Sequence, residues 1–207
     1  ANGRDRYWQS KRMIPGDRID DALRRVLLAY AMLYTLPGVP CVYYGDEIGM
    51  RYLPLPTKEG GYFRTGSRTP MQWDDTVNAG FTAGTPWFYV NDNYREINVE
   101  AQEHDPDSLL NFYRRAIALR KRLPVVREGK YRDCCPLAGS LYLYTREMKG
   151  QRLLVACSFT ERPLVVTPPK GYDFSKGRLV LQNYPVADPA IPFQTRPYET
   201  RVYLFEE

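Results

Sequence analysis

The chain has 207 residues, with 29 Lys plus Arg against 24 Asp plus Glu and a formal net charge of +5. That length suits one ordinary domain or two small ones, and the 43% hydrophobic and 14% aromatic content excludes a disordered tail. The longest uninterrupted apolar run, Val26 to Tyr34, has nine residues against the roughly 20 a membrane-spanning helix requires, so no transmembrane helix is expected.

The opening residues, Ala1 to Arg6, carry no apolar stretch of a secretory leader, and no Met begins the chain. A processed product, or a piece cut from a longer protein, is the expectation. From Asp17, a candidate N-cap, Ile19, Ala22, Leu23, Val26, Tyr30 and Leu33 recur at helical spacing. This helix should end at Leu36, because Pro37 disfavours helical geometry before it and Gly38 accepts a left-handed turn. Beyond Arg25 it is apolar on almost every side, which predicts packing between other elements. Cys41 to Tyr44 then reads as a short buried strand closed by Gly45, Asp46 and Glu47. Helix, tight turn and buried strand in succession favour an α/β class for the first part.

Residues 49 to 104 have no sustained period and are rich in Gly, Pro, Asn and Thr. Their aromatic residues, Trp73, Phe81, Trp87, Phe88 and Tyr89, predict an ordered excursion packed on a scaffold, since a solvated loop gains nothing from large rings. Asp105-Pro106 should open a second helix, with Leu109, Leu110, Tyr113, Ala116 and Ile117 on its apolar face and Asn111, Arg114, Arg115 and Lys121 opposite. After Leu123-Pro124 the texture changes to β-rich runs at 141–145, 153–159, 164–166, 178–182 and 200–205, separated by turn signals. The division predicted is 1–123 as an α/β segment and 124–207 as a small antiparallel β-sandwich.

Common chemistry finds little support. The single His104 sits beside Asp105 at a helix start with no nucleophile-elbow motif elsewhere, and reads as a surface loop residue. Neither nucleotide-binding glycine motif occurs. Cys41, Cys134, Cys135 and Cys157 lack framework spacing and are expected to be reduced thiols, in keeping with a cytoplasmic protein; with one His, no metal site and no cofactor are expected. From Arg114 to Arg132 there are eight basic residues and one acid, Glu128. Arg120, Lys121 and Arg122 fall at a helix end, where cations meet the negative pole, so no nucleic-acid partner is expected; polyanion binding is the rival reading. Asp46-Glu47 and Asp74-Asp75 are adjacent carboxylates, but neighbours in an extended segment point apart, so neither makes a converging catalytic pair.

Three stretches nevertheless belong together. Leu36-Pro-Gly-Val-Pro-Cys-Val-Tyr-Tyr-Gly-Asp-Glu-Ile-Gly-Met50 is followed by Arg68-Thr-Pro-Met-Gln-Trp-Asp74 with Asn78-Ala-Gly-Phe81, and then by Ile97-Asn-Val-Glu-Ala-Gln102 leading to Asp105-Pro-Asp-Ser-Leu-Leu-Asn-Phe-Tyr113. In this order and spacing they resemble the α-amylase superfamily of glycoside hydrolases, in its oligo-1,6-glucosidase, α-glucosidase and trehalose synthase branch. The resemblance covers about residues 20 to 122 and is only general in the later strands.

It implies the C-terminal part of a (β/α)8 barrel: seventh helix, eighth strand at Cys41 to Glu47, a long loop, and an eighth helix at Asp105 to Arg122, followed by the β-sandwich. The family's three catalytic acids lie on the fourth, fifth and seventh strands, before the matched stretch, so no catalytic residue is assigned here. The implied enzyme cleaves α-glucosidic bonds of short oligosaccharides by a retaining double displacement, and this chain alone is expected to be inactive. Its expected contribution is substrate contact. Arg68 would donate forked hydrogen bonds to sugar hydroxyls or orient the acids, or else pair with an acid to fix its loop. Trp73 and Phe81 would stack on sugar faces or serve as buried anchors. Glu47 would lie near the active site or bond loop backbone donors. Partners expected are the oligosaccharide and, for the apolar faces, self-association; a non-catalytic carbohydrate-binding or structural module is the other reading.

Overall fold

The computed structural model describes residues 19–53, 66–135, 139–190 and 192–206. Among them, the chain divides into two compact units: one contains 41–113, the other 18–40 together with 114–207. Asp17, the expected helix cap, lies outside the described residues.

The second unit is built on a sheet. Strands β1 (Lys130–Asp133), β2 (Leu141–Met148), β3 (Gln151–Ser158), β5 (Arg178–Gln182) and β7 (Thr200–Glu206) form one antiparallel sheet in the order β1-β2-β3-β7-β5, and β4 (Val165–Val166) pairs with β6 (Phe193–Gln194) in a second. The register sets Leu143 opposite Ala156 and Leu154 opposite Tyr203, which gathers these side chains with Phe205 on one face, where Val166 joins them in a core. Tyr144, Leu153, Val155, Val202 and Leu204 point to the other face and are buried as well. Burial on both faces explains why β2, β3 and β7 read as near-continuous apolar runs rather than alternating ones.

Helix α1 (Ile19–Thr35) covers that second face together with a short helix at Pro124–Glu128. Leu27, Leu28, Ala31, Tyr34 and Thr35 are buried at helical spacing, whereas Leu23 and Ala29 are exposed. The expectation of burial on nearly all sides is therefore not met among the described residues: the helix has one partner layer. Its last carbonyls, which no helical N–H can satisfy, are taken by arginines. Arg120 donates to the carbonyls of Tyr34 (3.0 Å), Leu36 (3.2 Å) and Gly38, and Arg146 donates to that of Thr35 (2.9 Å). Arg127 does the same for Lys121 at the end of the next long helix (2.6 Å). Part of the basic run is thus spent on helix ends.

The unit containing 41–113 has no strand among its described residues. Cys41 to Tyr44, expected as a buried strand, is exposed and makes no ladder hydrogen bonds, with Val42, Tyr43 and Tyr44 each more than 40% accessible. A strand exists only through its neighbours, and no described strand of this unit stands beside it. Helices α2 (Val99–Glu103) and α3 (Leu109–Arg122, running on into the sheet unit) supply the regular structure, with α4 the name for Pro124–Glu128. α3 starts four residues later than Asp105-Pro106 suggested. Asp105 instead accepts from the Asp107 N–H (2.9 Å) in a tight turn, and Ser108 Oγ accepts from Asn111 N–H (3.2 Å) as the cap. A small core of Ile48, Met71 and Leu110, flanked by Met50 and Val99, sits beneath these loops.

Candidate functional site

The turn that opens the site follows from two glycines. Gly45 and Gly49 flank the short 3-10 turn Asp46–Ile48 with φ of 87° and 72°, a left-handed geometry that disfavours side chains. Glu47 is half-buried on this turn, and its Oε2 is enclosed without a hydrogen-bond partner. An enclosed carboxylate oxygen with nothing to accept carries a full desolvation cost. The expected alternative, Glu47 bonding loop backbone donors, has no such bond among the described residues.

Arg68 lies on the segment after residue 65, exposed, and no described acid pairs with it. The Tyr44 hydroxyl donates to the Thr69 carbonyl (3.1 Å) beside it. Burial, then the neighbouring Tyr43, raises the Tyr44 hydroxyl above its ordinary value, and the Arg68 charge acts against that rise. The Arg68 charge is therefore felt at the Tyr44 hydroxyl, which no local sequence pattern indicates.

From Thr69 the chain alternates anchors and display. Thr69 and Gln72 are buried, Met71 belongs to the small core, and Trp73 emerges 49% exposed. Gln72 donates to the Ile97 carbonyl and to Asn93 Oδ1 (3.2 Å), while its own carbonyl and that of Trp73 accept from Val99 and Glu100 (3.0 Å each). The Trp73 N–H donates to the Ala79 carbonyl (2.9 Å), and Phe81 N–H to that of Asn78 (3.0 Å). Trp73 and Phe81 thus stand on one closed loop, and Phe81 is 42% exposed. Neither is a buried anchor. Asp74 closes the loop by accepting from Thr76 N–H (2.9 Å) and Oγ (2.5 Å), which is turn chemistry rather than acid catalysis. Gly80 is held at φ 65° with a Cβ position only 2.3 Å from Asp74 Oδ2, so a side chain there would displace that carboxylate.

The structure therefore sets Trp73 and Phe81 on one loop and fastens Tyr44 to the Thr69 carbonyl, next to Arg68 in the chain, and gives no bond between Glu47 and Arg68 among the described residues. His104 is exposed, as expected. All four cysteines are free, Cys157 buried and Cys41 exposed. No cluster of three potential metal ligands and no helix long and apolar enough to cross a membrane occurs among the described residues.

A family model for the alpha-amylase catalytic domain matches residues 11–129, more than half of the chain. The chain belongs to the alpha-amylase family. This family membership places a (β/α)8-barrel region in the matched stretch, and the antiparallel sheets of the described residues lie beyond it. Among curated relatives of this alpha-amylase family chain, the probable oligo-1,6-glucosidase 2 of Bacillus subtilis is 36% identical over 206 residues, covering 86% of this chain and 37% of the relative. The oligo-1,6-glucosidase of Parageobacillus thermoglucosidasius is 35% identical, with 89% and 39% covered. The trehalose-6-phosphate hydrolase of Escherichia coli is 35% identical, with 84% and 36% covered. Among solved structures, that of Bacillus licheniformis trehalose-6-phosphate hydrolase matches with a TM-score of 0.78 at 28% identity, covering 93% of this chain and 40% of its own. The chain thus spans well under half the length of these relatives.

Proposed function

We propose that this chain is the C-terminal portion of a glycoside hydrolase that cleaves α-glucosidic bonds of short oligosaccharides. The observation that carries the reading is its similarity, at 34–36% identity over more than 80% of the chain, to several oligo-1,6-glucosidases of which it fills 36–39%. In this reading α1 is the seventh barrel helix, Cys41 to Glu47 the eighth strand, 48–104 the long loop and α3 the eighth helix, with residues 1–123 barrel and 124–207 a β-sandwich. The unladdered, exposed run Cys41 to Tyr44 and the half-open flank of α1 are consistent with surfaces that the rest of a barrel covers.

The acids of the retaining double displacement lie upstream of this stretch: a carboxylate attacks the anomeric carbon, a second carboxyl protonates the leaving oxygen and then activates water. This chain supplies contacts. Exposed Arg68 donates paired hydrogen bonds to sugar hydroxyls, Trp73 and Phe81 offer ring faces, and the enclosed Glu47 oxygen accepts from a donor in the preceding part. The working compartment is the cytoplasm, and the isolated chain associates with itself or with the missing part through the Cys41–Tyr44 edge.

The test is glucose release from isomaltose and maltose by this polypeptide. No turnover is expected, whereas turnover abolished by changing an acid within residues 19–206 would overturn the assignment.

A further inference from the structure

The loop after Phe81 holds a cavity that the site above does not use. Its volume is about 270 Å³, and it is lined by Asn78, Thr85, Pro86 and the run Trp87 to Val90. That is below the roughly 300–1,000 Å³ of pockets enclosing drug-sized ligands, which limits the occupant to about one ring.

Three neighbouring rings shape it. Phe88 is 6% exposed, while Trp87 and Tyr89 on either side are 57% and 45% exposed. Alternation along the chain sends Phe88 inward as the anchor and turns the other two rings outward. Trp87 lies 5.5 Å from Phe88 between ring centroids, and Tyr89 lies 5.9 Å from it. Both displayed rings therefore rest on one buried ring, so their positions are set before any ligand arrives.

The polar groups at the cavity are also available. Asn78 sits at φ 59° and uses its amide N–H groups on the carbonyls of Thr82 (3.0 Å) and Gly84 (2.9 Å). Its Oδ1 is left as an acceptor among the described residues. Between Thr85 and Val90 no backbone group is paired with another described residue. Aromatic faces edged by open peptide groups and a fixed amide oxygen suit a ligand that is apolar on its flat sides and hydroxylated at its rim.

No Lys, Arg, Asp or Glu is among the described residues that line the cavity. A phosphorylated sugar would gain no ion pair there, and a charged ligand would meet uncompensated desolvation.

We infer that this cavity binds one uncharged glucosyl unit of an α-glucoside, with Trp87 and Tyr89 as the stacking platform. Only the saccharide class rests on the proposed function; the site is built by different residues from Arg68, Trp73, Phe81 and Glu47.

Titration of this polypeptide with isomaltose, followed by calorimetry and by the indole N–H signals of its tryptophans, tests it. Millimolar binding that shifts the Trp87 signal is expected. Trp87→Ala and Tyr89→Ala should each weaken it about tenfold, Trp87→Phe should weaken it less, and Phe159→Ala, an exposed ring in the sheet unit, should leave it within about twofold. Glucose 6-phosphate should bind no more tightly than glucose. The proposal fails if isomaltose leaves the Trp87 signal unmoved, if Trp87→Ala leaves affinity unchanged, or if the phosphate improves binding tenfold. Loss of binding through Trp73→Ala alone would also sink it while leaving the hydrolase reading in place, because that reading is scored by turnover.

Discussion

The two units reach order by different means. In the sheet unit, backbone groups satisfy one another along five strands, and side chains are free to fill two apolar layers. In the unit containing 41–113 there is no ladder among the described residues, and amide side chains take its place. Gln72 reaches Ile97 and Asn93, Asn91 reaches the carbonyl of Arg51 (3.1 Å), Asn98 reaches that of Tyr94 (2.9 Å) and Gln102 that of Ile48 (2.8 Å). A ladder spreads its cohesion over many equal bonds, whereas a loop fastened by a few amides concentrates it. Such a loop can hold Trp73, Phe81 and Trp87 half-exposed, because its fixed points lie elsewhere.

The largest expected effect lies in the sheet unit, at a place where it too depends on a single side chain. Arg146 is 1% exposed and donates to the carbonyls of Gly129 (Nε 3.0 Å, Nη2 2.7 Å) and Thr35 (Nη1 2.9 Å), with no acid among its described partners. Burial, and then Arg120, holds its guanidinium below the usual value, with Tyr144 opposing. Arg146→Met removes the desolvated charge but strands those carbonyls, and a loss of about 3 kcal/mol is expected. Arg146→Lys should not recover it, since an ammonium cannot reproduce the planar fork. Urea unfolding followed by the sheet's circular dichroism measures both. Unchanged midpoints would mean that this fastening contributes nothing beyond the ladders.

A smaller effect is expected at Glu199, whose side chain is fully buried between Arg196 (Nη2 2.8 Å) and Arg201 (Nε 2.8 Å) and also accepts from the Arg196 N–H (2.8 Å). Burial alone would raise its pKa, but the hydrogen bonds from Arg196 and Arg201 outweigh it, and the net value lies below the ordinary carboxylate. A depressed folded value means that the stabilisation is complete above the unfolded value of about 4.3 and is lost as pH falls through the lower folded one. Glu199→Gln should cost about 2 kcal/mol at pH 7, and its disadvantage should shrink in acid. Stability curves of the two proteins from pH 7 to pH 2 that run parallel would contradict this.

Legibility in the sequence followed the same division. The runs at 141–145, 153–159 and 200–205 lie within β2, β3 and β7 but for Phe159, because doubly buried strands advertise themselves as continuous apolar stretches. β1 and β6 were missed: Lys130–Asp133 has an edge strand's polar composition, and Phe193–Gln194 is too short to show a period. Cys41 to Tyr44 has the composition of a buried strand, yet composition cannot supply the neighbour that makes a strand. At the candidate site, the motifs around Arg68, Trp73 and Phe81 were visible as a family resemblance. The exposure of those rings, the orphaned oxygen of Glu47 and the hydrogen bond from Tyr44 to the Thr69 carbonyl depend on contacts between residues tens of positions apart, and no local pattern encodes them. The alternation at Trp87, Phe88 and Tyr89 was the one available signal for the cavity, but three aromatic residues in a row hide which of them turns inward.

The smallest effect expected is the one that most directly separates a laddered unit from an amide-fastened one. Gln102 donates to the Ile48 carbonyl, accepts from the Leu110 N–H (3.1 Å), and through its own carbonyl receives Ser108 Oγ (2.7 Å) and Asn111 Nδ2 (3.0 Å). Gln102→Met keeps the volume and the backbone carbonyl but removes both side-chain bonds, and about 1 kcal/mol of local stability should go with them. The Ile48 carbonyl and the Leu110 N–H, at the turn carrying Glu47 and at the start of α3, lose their partner together. Amide hydrogen exchange should therefore quicken about fivefold at Leu110 and across the Asp46–Ile48 turn, while β3 and β7 exchange as before. Equal acceleration in those strands would show that a single amide bond is felt throughout the molecule, and the contrast between the two kinds of cohesion would then have no energetic meaning.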